Sequence, residues 1–302
     1  MSATSTPAAE LGFTACLNPA TLSGIPLPRF LTLAAETGFD AVELSIQQVI
    51  AHGPQQVRDM LDRHGLRAVA ASGILPAGPV LPAPLLIPDE QYADLLQDLP
   101  QRLAAFQTLN CPTATIVLNP ATTWPRPDAL ARARTRISQL ADAAAPCGVR
   151  LAVEAVSVTR GLPPELTGEH LLLTDLPSLA RLIEETGRTD VGVLVDSFHW
   201  AAAGADRGHI TGLGTIPVAH VQIADLPIGI TPADAADEMR LFPGDGALPW
   251  RTFGQALNKA GYTGPVSVEL FNPALRALPV GEIAQRAHHS AVSRWNLPEV
   301  TR

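Results

Sequence analysis

The amino-acid sequence predicts a closed (β/α)₈ barrel. Eight short apolar runs alternate along the chain with longer stretches of helical period. Apolar strands that alternate with helices pair in parallel and are covered by helices on both sides. Eight such units in roughly 280 residues match the size of a closed barrel. A doubly wound open sheet is the alternative, but no GxGxxG motif follows the first run, and eight regular units are many for an open sheet.

The candidate strands are short apolar runs at 12–17, 41–46, 67–72, 113–118, 150–155, 191–196, 219–224 and 265–270. The candidate helices between them cover 28–38, 55–65, 89–110, 126–148, 174–187, a short stretch after Asp206, 249–261 and 280–295. Several of these helices end at a glycine, which the C-terminus of a helix favours: Gly38, Gly65, Gly148, Gly187 and Gly261.

Two long insertions interrupt the repeat, at 73–89 and at 226–249. Both follow strands, so in a barrel they lie at the face where active sites are built, and loops of this length are often functional. The first is rich in proline and is expected to shape the pocket through Leu75, Val80, Leu81, Leu85 and Leu86. An oligomer interface is the alternative use of such an apolar segment.

The composition argues against several classes of protein. The 302 residues carry a formal net charge of -8, and Lys259 is the only lysine, so no basic cluster is present to bind a nucleic acid. Cys16, Cys111 and Cys147 are far apart, which favours neither a disulfide framework nor a thiolate zinc site. Residues 1–10 lack the pattern of a secretion signal and are expected to be a flexible tail, and no apolar run is long enough to cross a membrane. We therefore expect a cytoplasmic protein with one barrel domain at 11–302.

Polar side chains occur at the ends of the last four strands. They are Glu154, Asp196, His220 with Gln222, and Glu269. Because the carboxyl ends of barrel strands meet at one mouth, three carboxylates there would repel one another unless a cation compensated them. Oxygen-rich ligation suits Mn²⁺ or Mg²⁺ better than a structural zinc ion. The pattern therefore indicates a divalent metal site.

Each of these residues also has an ordinary structural interpretation. Glu154 is compatible with a strand-end acid paired with an arginine, and Asp196 with the cap of a short helical turn at SFHW. His220 and Gln222 are two residues apart and so point to the same side of their strand; one of them is then a ligand and the other a packed neighbour.

Four motifs resemble those of the xylose-isomerase-like superfamily of metal-dependent sugar isomerases and epimerases. They are the Asp-x-x-His motif in VGVLVDSFHW, HVQIAD, the loop RLFPGDGALPW and the closing strand PVSVELFNP. The resemblance extends from Phe13 to about Trp295. Within the superfamily, segments such as CLNPAT, APCGVRLAVEAV and DLPIGIT are similar to those of the inosose isomerases.

The resemblance implies a role for each matching residue. Metal ligands would be Glu154, Asp196, Gln222 and Glu269, and the acid/base pair would be Glu154 and Glu269. Substrate-binding residues would be His199, Trp200, His220 and Arg240. For Arg240 the alternative is a salt bridge to Asp237 or Asp245 that anchors its loop.

The expected function is that of an isomerase or epimerase that moves a proton through a metal-stabilised enediolate. Its substrate would be a small sugar or a cyclic polyol ketone, its cofactor one divalent ion, Mn²⁺ ahead of Mg²⁺, Co²⁺ or Zn²⁺, and a homo-oligomer is compatible with this interpretation. A lyase is the main alternative, either a dehydratase or a C-glycoside-cleaving subunit, because the same proton abstraction followed by loss of a β-substituent gives dehydration or cleavage. Gln222 stands where many members have His; Gln at this position is found in hydroxypyruvate isomerases and 3-dehydroshikimate dehydratases, which weakens the assignment of a substrate from the inosose isomerases. A third interpretation is a barrel subunit without its own activity. Glu154 lacks the second acid that follows this residue in ketose 3-epimerases, which argues against that branch.

Overall fold

Eight parallel strands close into a barrel in the computed structural model, which describes residues 12–76, 85–158, 160–162 and 166–295. Each strand pairs with the next along the chain, and the last pairs with the first. The strands are β1 Ala15–Leu17, β2 Ala41–Ser45, β3 Arg67–Ser72, β4 Thr113–Leu118, β5 Arg150–Ala155, β6 Val191–Asp196, β7 Val218–Ile223 and β8 Val266–Val268. The predicted (β/α)₈ barrel is confirmed. The predicted tail at 1–10 lies outside the described residues.

Helices cover the outside of the barrel. They are α1 Leu27–Glu36, α2 Ile46–His52, α3 Pro54–His64, α4 Asp89–Leu96, α5 Leu99–Thr108, α6 Arg126–Ala144, α7 Leu176–Glu184, α8 Ser197–Ala202, α9 Gly208–Thr211, α10 Trp250–Lys259 and α11 Val280–Ser293. Short 3₁₀ helices occupy Pro19–Leu22, Ala145–Cys147, Pro232–Asp234, Asp237–Met239 and Pro273–Ala277. Ala121–Thr122 and His170–Leu171 form a small antiparallel pair outside the barrel.

The helix predictions were wrong in two places. The chain begins α2 directly at Ile46, where the sequence predicts the last residue of a strand. The single helix predicted over 89–110 is two helices, because Pro100 has no N–H and clashes with the preceding turn, so it is accommodated at the second position of the new helix α5.

The strands bury apolar side chains along nearly their whole length. All six residues of β4 and all six of β6 are buried, as expected for parallel strands between a barrel interior and a helical layer. The seam of the barrel, where β1 pairs with β8, lies beside an aromatic cluster in which Phe13, just before β1, packs against Trp295, just after α11. Polar residues at the ends of these strands are therefore exceptions in an otherwise apolar interior. In the described part of the chain, no helix combines the length and hydropathy that a membrane span requires.

Candidate active site

A cavity of about 610 Å³ opens at the carboxyl ends of the strands. Its wall includes Glu154, His199, Gln222, Arg240 and Glu269. This is the face where the active sites of (β/α)₈ barrels are built, and the volume lies within the range of roughly 300–1,000 Å³ that is typical of small-molecule sites. Five of the predicted residues are thus brought to one cavity, from β5, α8, β7, the end of β8 and a loop.

Strand register staggers the predicted residues along four neighbouring strands, with Glu154 on β5 paired to Leu194 on β6. Asp196, the last residue of β6, pairs with Gln222 on β7, and Gln222 pairs with Ser267 on β8, two residues before Glu269. Asp196 also caps α8, because its Oδ1 accepts hydrogen bonds from the backbone N–H of Phe198 at 2.6 Å and of His199 at 3.2 Å. The capping interpretation of Asp196 is confirmed, and its second oxygen, Oδ2, accepts a hydrogen bond from Arg240.

Arg240 joins the acidic side chains. Its Nη1 donates to Oδ2 of Asp196 at 2.5 Å and lies 3.3 Å from Oε2 of Glu269, while Nη2 donates to Oδ1 of Asp237 at 2.8 Å. The guanidinium is 1% exposed and lies against the rings of Phe198 and Phe271. The salt bridge to Asp237 confirms the anchoring interpretation of Arg240, whereas Asp245 pairs with Arg286 instead.

Both glutamates of the predicted acid/base pair have raised pKa values. Burial raises the pKa of Glu154 well above its usual value, and the negative charges of Asp196 and Glu269 raise it further. Burial likewise raises the pKa of Glu269; the charge of Arg240 opposes this shift, while those of Asp196, Glu43 and Asp237 add to it. A carboxylate with a raised pKa holds a proton more strongly, which suits a group that must both accept and return one.

His199 lies between the acids. Its Nε2 is 3.6 Å from Oε1 of Glu154 and 3.8 Å from Oδ1 of Asp237, and Nη2 of Arg240 is 3.2 Å away. Burial lowers the pKa of His199, and Arg240 acts in the same direction, although both neighbouring aspartates oppose the shift. At neutral pH the imidazole is therefore an acceptor beside the guanidinium rather than a second cation.

Glu43 is a site residue that the sequence reasoning missed. It lies in the middle of β2, is 2% exposed, and accepts a hydrogen bond from Nδ2 of Asn18 at 2.8 Å. Nε2 of Gln222 also donates to it, at 3.2 Å, and Nε2 of His220 lies 3.2 Å away. An acid among the apolar residues of AVELSI is the signal that could have identified it, because it faces inward with Ala41 and Ser45 by the period of a strand.

Gln222 and His220 differ in position, although both reach Glu43. Gln222 lines the cavity and its Nε2 donates to Oε1 of Glu269 at 3.0 Å, while His220 packs deeper in the barrel and is 2% exposed. Their shared direction, expected from the spacing, is borne out by these contacts. The expectation that His220 contacts substrate does not fit its position below the cavity.

Trp200 does not join the site either. Its ring packs on Phe253 and its Nε1 donates to the backbone oxygen of Asp206 at 2.8 Å, so it belongs to the core that supports α8. The leucines of the first insertion show a similar difference. Leu75, Leu85 and Leu86 are buried in the core rather than in the cavity wall, while Val80 and Leu81 lie outside the described residues.

Three observations make these side chains suitable for a divalent cation. Oε1 of Gln222 is buried and accepts no hydrogen bond from the residues that the structure describes. Ligand atoms of Glu154, Asp196 and His199 lie within 4.8 Å of one another. Three carboxylates, those of Asp196, Asp237 and Glu269, contact the guanidinium of Arg240, and Glu154 lies 3.6 Å from His199, so the donor set has more acids than cations.

The chain belongs to the family described as xylose isomerase-like TIM barrels, which it matches over residues 31–291. The family resemblance expected from the motifs is thereby confirmed, together with the fold.

Individual proteins of known activity match this chain at low sequence identity. The chain is 28% identical over 159 residues to an inosose isomerase of Halalkalibacterium halodurans, a match that covers 52% of this chain and 51% of that protein. It is 27% identical over 269 residues to a 3-dehydroshikimate dehydratase of Pseudomonas putida, covering 87% of this chain and 39% of that protein. The match thus spans about half the length of the inosose isomerase and less of the dehydratase. A solved structure described as the IOLI protein with a binding zinc atom superposes with a TM-score of 0.77 at 21% identity, covering 94% of this chain and 98% of that one.

Proposed function

We propose that this chain is a metal-dependent isomerase or epimerase that transfers a proton next to the ketone of a small sugar or cyclic polyol. The observation that carries the proposal is the pair of glutamates in one cavity, the buried Glu154 on β5 and the partly buried Glu269 just after β8, each with a raised pKa. The pairing of two such carboxylates with a compact cavity supports proton removal and return at a carbon acid.

The metal site that we propose uses Glu154, Asp196, Gln222 and Glu269, with Mn²⁺ as the preferred ion because the ligands are oxygen-rich. A bound divalent ion supplies Lewis-acid stabilisation of the negative charge that develops on the substrate oxygens. The unpartnered Oε1 of Gln222 and the excess of negative charge support this assignment. Oδ2 of Asp196 and Oε2 of Glu269 are contacted by Arg240, so an ion bound to both oxygens would share them with the guanidinium or displace it.

The side chains that line the cavity would transfer the proton and bind the substrate. Glu154 and Glu269 would remove and return the proton from the two sides of the substrate. Nε2 of His199 would accept a hydrogen bond from a substrate hydroxyl in place of the one from Arg240, and Arg240, released from that contact, would donate to a substrate oxygen. Phe271, which is 39% exposed, would exclude water from one side of the cavity.

A lyase is the second candidate. It is favoured by the dehydratase match, which covers 87% of this chain. Removal of the same proton followed by loss of a β-substituent would give an unsaturated ketone.

One experiment separates the two reactions. Protein loaded with Mn²⁺ is incubated in D₂O with hydroxylated cyclic ketones and ketoses, while solvent deuterium in the recovered substrate is followed by NMR and new ultraviolet absorbance by spectrophotometry. Deuterium incorporation without absorbance supports the isomerase. New absorbance supports the lyase, and the absence of both contradicts the proposed function.

A further inference from the structure

The cavity extends well beyond the acidic cluster, to the ends of β2 and β3. Gln47 and Gln48 line it there together with Ser72, Gly73 and Arg102. In the ring of eight strands, β2 lies opposite β6, which carries Asp196. The wall near Arg102 is therefore on the far side of the mouth from Asp196, and the proposed chemistry leaves it without a role.

Arg102 is a buried cation with neutral partners. It is 5% exposed, its Nη1 donates to the backbone oxygen of Gly73 at 2.8 Å, and its Nη2 donates to Oε1 of Gln47 at 2.7 Å. Its Nε is buried and has no hydrogen-bond partner among the residues that the structure describes. Two carbonyl oxygens hold the guanidinium in place but do not neutralise it.

The other buried arginines of the described chain are paired with acids. Arg136 contacts Asp89, and Arg240 contacts three carboxylates. For Arg102 no carboxylate lies within ion-pair distance in the described ranges, and Asp98, the residue just before α5, is exposed to solvent. Buried charges are expensive unless they are paired, so a buried arginine that lines a cavity indicates an anionic partner that enters the cavity.

We propose that Arg102 binds an anionic group of the substrate, so that the substrate is an acidic ketone rather than a neutral polyol. The inference rests on the proposed function in that the ligand is the substrate of the same cavity. The planar guanidinium has donors left for a bidentate contact with a carboxylate or phosphate. The acid-rich side of the cavity would then hold the ketone while Arg102 fixes the opposite end of the molecule, which defines its orientation.

The test compares matched ligands on the Mn²⁺-loaded full chain. Three hydroxylated ketones are titrated by calorimetry: one with a carboxylate, one with a phosphate ester and one neutral. We expect wild-type protein to bind one of the anionic ligands at least roughly tenfold more tightly than the neutral one, and Arg102→Gln to remove that difference. Arg102→Lys keeps the charge but loses the paired N–H donors of the guanidinium, so it should retain part of the difference in affinity. Whichever anion is preferred identifies the carboxylate or the phosphate as the bound group.

Arg181→Gln, on the exposed surface of α7, is the matched control and should leave all three affinities unchanged. Equal wild-type affinities for the neutral and anionic ligands would overturn the proposal, and so would equal losses for all three ligands in Arg102→Gln. The wild-type comparison needs no variant and holds if Arg102→Gln fails to fold. Failure of the proposed function would look different: anionic ligands would bind in an Arg102-dependent way, yet no ketone would exchange deuterium or gain absorbance.

Discussion

At the scale of single residues, Glu43 organises the amides that hold Glu269. Nδ2 of Asn18 donates to Glu43 at 2.8 Å and to Glu269 at 3.0 Å, and Nε2 of Gln222 contacts the same two acids. Burial on its own would raise the pKa of Glu43, but the neighbouring imidazole of His220, together with Ser267 and the amide of Gln222, brings it below the usual value. Glu43 is therefore an ionised acceptor that orients the ligand amide of Gln222.

Replacement of Glu43 with Gln should lower the free energy of unfolding by about 1–3 kcal/mol, because an amide cannot accept on both sides and leaves a buried donor unpaired. Urea unfolding followed by circular dichroism measures the change. Glu36→Gln, which alters an exposed ion pair with Arg29, is the control and should change it by less than about 1 kcal/mol. Equal stability of Glu43→Gln and wild type would contradict the orienting role.

Glu154→Gln and Glu269→Gln should each reduce deuterium exchange by at least about 100-fold, since an amide cannot take up a proton from carbon. The rate of exchange in D₂O is the measurement, and circular dichroism confirms that each variant is folded. Glu282→Gln, on the exposed surface of α11, should exchange at the wild-type rate. Either site variant working at the wild-type rate would show that its glutamate is not an acid or base.

At the scale of elements, Asp225 fixes the loop that carries Arg240. Its carboxylate accepts hydrogen bonds from the backbone N–H of Gly244 and of Leu248 and from Nε1 of Trp250. The loop lies so close that a Cβ at Gly246 would be 2.2 Å from the backbone oxygen of Leu226. Gly246, the second glycine of the loop RLFPGDGALPW, is thus required by this close approach. The residue serves the site by allowing the loop that carries Arg240 to pack in place.

Gly246→Ala should destabilise the protein and weaken catalysis together, because relief of the clash moves the loop that positions Arg240. We expect a loss of about 1–3 kcal/mol in unfolding free energy and a lower rate of exchange. Gly281→Ala is a matched control, since it lies in α11 with open space around the new methyl group. A Gly246→Ala variant as stable and active as Gly281→Ala would refute the close-packing argument.

At the scale of the whole molecule, the barrel could be predicted because the sequence repeats short apolar runs, and each run must be buried as a strand. The acids of the last four strands could be predicted in the same way, since each ends an apolar run. Glu43 escaped because it stands in the middle of its strand, with its pairing partners far away in sequence. Trp200 and His220 are buried away from the cavity wall. Whether a side chain of a motif reaches the cavity or packs in the core depends on the orientation and depth of its helix or strand, and a sequence motif does not contain that information.

The seam of the barrel depends on residues from both ends of the described chain. The ring of Trp295 lies 4.7 Å from that of Phe13 and 5.6 Å from that of Trp250. Trp295→Ala should lower the free energy of unfolding by about 3–5 kcal/mol, since it leaves a large cavity between α11 and β1. Val292→Ala, at a half-exposed position of the same helix, should cost less than about 1 kcal/mol. Similar unfolding midpoints for the two variants would argue against this closure.

The measurement that bears most directly on the account is deuterium exchange into a substrate ketone before and after removal of metal. Protein stripped with a chelator should show no exchange, and added Mn²⁺ should restore it, with Gln222→Leu requiring a higher Mn²⁺ concentration than wild type because one ligand is lost. Stripped protein that exchanges at the full rate would contradict the claim that a divalent ion among Glu154, Asp196, Gln222 and Glu269 allows the carbon acid to ionise.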